Sequence, residues 1–162
     1  MTVRATDNVM SPSLSNSNLR SLAAQLIAFE STSMVPAGDT LLSENDRPEF
    51  RVTGKLRGPL SKLAGIAGYR VLLARALTVA KSQDPSLGAF RVNQEARLEV
   101  VNGPPRASPN NDAGVLLIAQ LLGLLATFIG DPLTMILIVE AWPSFPAADS
   151  STLEKLEHEP RR

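Results

Sequence analysis

The sequence predicts an all-α protein, a compact bundle of four to five helices with an optional short β-hairpin near residues 89–101. Three observations carry that reading. Aromatic residues are only 4% of a chain that is 44% hydrophobic, so the core must be filled by Leu, Ile, Val and Ala, which suit close helix packing better than a β-sandwich. Apolar residues recur at helical spacing in the segments flanking the centre of the chain. The most apolar stretch, residues 114–139, is interrupted by Gly130-Asp131-Pro132, a stop-and-restart signal that turns one membrane-length run into two shorter helices.

At 162 residues with no net formal charge, from 16 basic and 16 acidic side chains, the chain suits one domain, placed at residues 16–143. Residues 1–15 and 144–162 read as flexible tails, the second acidic and rich in Pro and Ser. The first lacks an apolar run of signal-peptide length.

Residues 16–30 begin with polar cap-type side chains and then set Leu19, Leu22, Ala23, Leu26 and Ile27 on one helical face, with Arg20 and Gln25 opposite. Residues 31–47, with Pro36 and Gly38, show no period and read as a loop. A short helix over 48–56, capped by Asp46, is expected to stop at Gly58-Pro59. From 59 to 81, Leu63, Ile66, Leu73, Leu77 and Ala80 form one apolar stripe. Gly65 and Gly68 beside it mean either close packing or a helix that begins near Gly68, since each costs about 0.8–1 kcal/mol relative to Ala.

Asp84-Pro85 caps no more than a turn, because Gly88 follows too soon. Phe90 and Val92 then alternate against Leu98 and Val100 as a hairpin turning near residues 93–95. Residues 103–109 read as a Pro-rich linker, with Asn110, Asn111 and Asp112 as caps for the next helix. Gly130 is placed as the C-terminal cap of that helix, Asp131 as the following N-cap, and Pro132 as the first residue of a last helix that Pro143 ends. Trp142 and Phe145 are expected to fold back and close the core. The core is therefore the two helices of the apolar tract packed on the 63–80 and 19–28 helices.

Chemistry-bearing patterns are scarce. The chain has no cysteine and one histidine, His158, set among acidic residues of the tail, so Cys- or His-based metal sites and nucleophile triads have no parts. The segment GKLRGPLSK, residues 54–62, lacks the order of a phosphate-binding loop and follows no strand. No catalytic residue, cofactor-binding residue or metal ligand is nominated, and no cofactor is implied. Between Phe50 and Gln83 every charged side chain is basic. Arg51, Lys55, Arg57, Lys62, Arg70 and Lys81 are thus candidate contacts for an anionic partner. A solvated surface with internal ion pairs to upstream acids such as Glu49 is the favoured reading of this block.

Two stretches, LRGPLSKLAGIAGYRVLLARALTVA (56–80) and LLIAQLLGLLATFIGDPLTMILIVEAWP (116–143), are similar in their order to small uncharacterised bacterial helical proteins. The resemblance implies a bacterial source and a helical domain, and carries no activity, cofactor or partner. The favoured expectation is a non-enzymatic protein-interaction or adaptor module of the cytoplasm, binding an unknown protein or a second copy of itself. The first alternative is a membrane-associated protein inserting residues 114–139, against which stands a cost of about 2.5–3.5 kcal/mol for a charged residue such as Asp131 at mid-bilayer. The second is a nucleic-acid binder using residues 51–81.

Overall fold

The computed structural model describes residues 16–32, 47–101 and 112–145. The expected tail over 1–15, the tail expected over 144–162 apart from Ser144 and Phe145, most of the 31–47 loop, and the linker over 103–109 lie outside the described residues. Within them the protein is all-α with one small hairpin: α1 (Asn16–Thr32), α2 (Pro48–Gln83), a 3-10 turn (Pro85–Ala89), β1 (Phe90–Val92), β2 (Leu98–Val100), α3 (Asp112–Ile129) and α4 (Asp131–Ala141).

In α1 the expected face is buried, with Leu19, Leu22, Ala23, Leu26 and Ile27 all inside. In its last turn the Ser31 and Thr32 hydroxyls fold back along the helix and donate to the Ile27 and Ala28 carbonyls at 2.8 and 2.9 Å, the back-bonding to residue i−4 that such side chains adopt within helices.

The stop expected at Gly58-Pro59 does not occur. The helix runs through Pro59, although an interior proline removes a backbone bond and costs about 3 kcal/mol. Leu56 and Leu60 explain the outcome. They lie one helical turn apart, both essentially fully buried, and only an unbroken helix keeps them on the same face. The break falls at Gly65, whose φ of 75° and ψ of 163° are non-helical and belong to a region that side chains other than glycine scarcely enter. The second limb thus starts at residue 66.

Tyr69 shows how sharp the corner is. Its hydroxyl donates to the Thr53 carbonyl at 2.7 Å, whereas a straight helix would set these residues about 24 Å apart at 1.5 Å per residue. The Thr53 hydroxyl itself donates to the Glu49 and Phe50 carbonyls, each at 3.0 Å. Of the expected apolar stripe, Leu73, Leu77 and Ala80 are buried, but Leu63 and Ile66 are 50% and 45% exposed. They flank the corner, so the change of direction turns them away from the core their spacing had assigned them to.

Asp84 caps the 3-10 turn as expected, its carboxylate accepting from the Ser86 N–H at 2.9 Å. The hairpin pairs Phe90 with Val100, Arg91 with Glu99 and Val92 with Leu98, antiparallel. Its turn extends to Arg97, because the Asn93 side-chain oxygen accepts from both the Glu95 and Arg97 N–H groups at 3.0 Å. A two-stranded ribbon needs a surface to lie on. Phe90 packs edge-on against Phe50 of α2 at 5.3 Å between centroids, and the Arg57 Nε–H donates to the Glu95 carbonyl at 2.8 Å.

The apolar tract folds as two helices, α3 lying against both α1 and α2. Gly114 permits close approach, since a Cβ there would lie 3.3 Å from the Glu49 carboxylate and 3.4 Å from Ile27. At the break the capping role is one residue earlier than expected. Gly130, with φ 87° and ψ 158°, is itself the N-cap of α4, and Asp131 is inside its first turn. One glycine serves both helices: its N–H donates to the Ala126 carbonyl at 3.0 Å and its carbonyl accepts from the Thr134 N–H at 3.1 Å. Asp131 then places a negative charge where the helix dipole favours it.

Candidate interaction surface

Three sites bear polar groups or unusual exposure, and they differ in what they can do. The first joins three helices. Glu30, at the end of α1, is buried and its Oε1 accepts from the Trp142 indole N–H at 2.6 Å. The same oxygen pairs with Lys55 Nζ, and the ammonium stands 5.8 Å from the centre of the Trp142 ring. Phe145 meets Phe29 edge-on at 5.6 Å, so Trp142 and Phe145 close the core as expected. A buried carboxylate satisfied by an ammonium and an indole holds elements in place. Glu30 carries no signal in the residue order, because a single acid near a helix end is ordinarily solvated.

The second site is apolar and open. Lys62 Nζ lies 3.8 Å from Glu140 Oε1, which sets the first limb of α2, just before the Gly65 corner, alongside α4. On α4 the inward face is Thr134, Leu137 and Ile138. Leu133, Ile136 and Val139 point outward, Ile136 being 60% exposed, and Phe128 at the end of α3 is 77% exposed. Leu63 and Ile66 at the corner are exposed as well, so uncovered apolar side chains stand at the α2 corner, the end of α3 and the outer side of α4. These residues sit in a tract whose composition is apolar on all sides, so no periodic signal marked which of them stay uncovered.

The third site is a groove between the hairpin and the second limb of α2. Of the basic candidates, Lys55 serves the Glu30 cluster, Arg57 holds the hairpin turn and Lys62 pairs with α4. Arg51 is half-buried on the first limb and Lys81 half-buried in the last turn of α2, while Arg70 is exposed on the second limb. Three of the six are thus engaged by other groups of the chain, and the corner sets Arg70 and Lys81 on a different limb from the other four. Among the described residues no group of three or more His, Cys, Asp and Glu side chains is placed to hold a metal ion.

Burial raises the Tyr69 phenol well above its ordinary pKa, opposed by the Arg57 charge. The group is a structural donor to Thr53, facing protein on all sides. No protein-family model, curated protein or solved structure matches the chain.

Proposed function

We propose that this chain is a non-enzymatic protein-interaction module that docks through the apolar surface formed by Leu63, Ile66, Phe128, Leu133, Ile136 and Val139. The observation that supports it most is the outward row Leu133, Ile136 and Val139 on a helix whose opposite face is already packed. Contiguous apolar surface is costly to leave in water, and domains that retain it use it for contact. The flanking Lys62–Glu140 pair supplies a polar rim of both signs, the arrangement found around protein contacts.

The test compares the wild-type chain with the Phe128→Ser/Ile136→Asp double variant, by light scattering across a concentration series and by capture from native lysate. The reading expects a stoichiometric assembly, with itself or with one protein, that the double variant loses while its melting curve is unchanged. A wild-type chain that stays monomeric and partnerless, or that turns over a small molecule reproducibly, ends this reading.

A second reading rests on a different observation: α2 and α3 are long and apolar enough to cross a membrane by length and composition. In it, Phe128 and the outward row of α4 enter a bilayer. Flotation with neutral phosphatidylcholine vesicles, followed by a carbonate wash, separates the two, since a docking module is released and an inserted one retained.

A further inference from the structure

The groove of about 440 Å³ between the second limb of α2 and the hairpin is distinct from the apolar corner. Its helical wall is Arg70, Val71 and Ala74, all exposed, and its other wall includes Arg91, Val92 and Gln94. None of its lining residues is acidic. Arg91 shares its charge with Glu99 across the hairpin at 3.1 Å, whereas Arg70 has no ion-pair partner among the described residues. The groove thus combines the Arg70 guanidinium, the Arg91 guanidinium already paired with Glu99, and apolar wall from Val71, which is 63% exposed.

The backbone supplies a further feature. The Val101 N–H donates to the Ala89 carbonyl at 2.8 Å and the Asn93 N–H to the Arg97 carbonyl at 2.9 Å, with Arg91 opposite Glu99 between them. Main-chain groups in an antiparallel pair alternate in direction along each strand. Residues 89, 91 and 93 therefore face β2, and the N–H and C=O of Val92 face the other way, along the outer edge of β1. An edge of this kind is a template for an added strand.

We propose that this groove binds an extended acidic segment of a partner protein, which adds as a strand to the outer edge of β1 and sets its carboxylates on Arg70 and Arg91. Alternate side chains of the added strand would face the two guanidinium groups while the others lie on Val71 and Ala74. The short edge offers few main-chain bonds, so affinity rests on both charge and strand pairing. This proposal does not depend on the apolar corner, and the two fail separately.

The test uses the full chain, isotopically labelled, and a hexapeptide of alternating glutamate and valine, titrated at low salt. Expected are amide shifts centred on Val92 and Gln94, with a dissociation constant of about 100 µM. Arg70→Gln should weaken binding about threefold and the Arg70→Gln/Arg91→Gln pair about tenfold, with both folds intact by circular dichroism. The Phe128→Ser/Ile136→Asp variant should bind as the wild type does. A peptide of alternating lysine and valine should not bind, and a glutamate–valine peptide N-methylated at alternate residues should bind at least about tenfold more weakly. Equal binding by the N-methylated peptide or by glutarate would overturn strand addition in favour of a simple anion site. Shifts of the same amides with protein concentration alone would assign the groove to a second copy and overturn the proposal, as would an absence of binding at low salt.

Discussion

The two halves of the apolar tract, α3 and α4, are alike in composition and opposite in circumstance. In α3, Leu116, Leu117, Ile118, Leu121, Leu122 and Leu125 are all buried, because α1 and α2 lie against it. In α4 only Thr134, Leu137 and Ile138 are buried, and the outward row of Leu133, Ile136 and Val139 has no described neighbour to cover it. Hydropathy measures how strongly a segment avoids water. The number of neighbours decides how much of that tendency is satisfied. An apolar helix with one packed face is therefore a surface as much as a core element.

The contrast predicts a graded set of mutational effects. Leu121→Ala, on the side of α3 enclosed by other helices, should cost about 2–5 kcal/mol in urea unfolding, through lost transfer energy and the cavity left behind. A cost below about 1 kcal/mol would mean that α3 is not enclosed as described. Trp142→Phe tests the fastening of α4. It removes the indole N–H from the buried Glu30 carboxylate and should cost about 1.5–3 kcal/mol, the range for a hydrogen bond to a charged group.

Tyr69→Phe removes the bond to Thr53 and should cost about 1 kcal/mol at neutral pH. It also carries a pH signature. Because burial raises the folded-state pKa above the unfolded value, the unfolded chain ionises first. The wild type's stabilisation from this group is then complete below about pH 10 and declines above it. Urea midpoints measured from pH 8 to 11 should converge between wild type and Tyr69→Phe at the alkaline end, and parallel curves would contradict the assigned burial. The smallest effect is expected from Ile136→Ser on the outward row, within about 0.5 kcal/mol of wild type. A large loss there would show that something already covers α4.

Much of the scaffold could be read from residue order, and the reasons for the exceptions are local. The α1 face, the Asp84 cap, the hairpin and the break at residue 130 were legible because each is set by neighbours within a few positions. Pro59 was misread because its signal is also local, while Leu56 and Leu60, which keep the helix intact, act through burial against distant elements. The two readings of Gly65 and Gly68 could not be separated by spacing, since only one position adopts positive φ. The exposure of Leu63 and Ile66 follows from the corner and was invisible for the same reason. Of the groove's two cations, the sequence singled out Arg70 and passed over Arg91, which lies outside the basic block. It did not show that Arg70 and Arg91, 21 positions apart in the chain, flank one groove, because that depends on how the hairpin settles on α2.

The chain has one tyrosine and one tryptophan, and the fold sets them at different joints. Tyr69 bridges the corner of α2, while Trp142 ties the end of α4 to α1 and α2. Ultraviolet absorbance of the phenol and fluorescence of the indole therefore follow two separate fastenings without any added label. Coincident traces during denaturation would identify a single cooperative unit, whereas an earlier indole transition would show α4 peeling away while the bent helix persists.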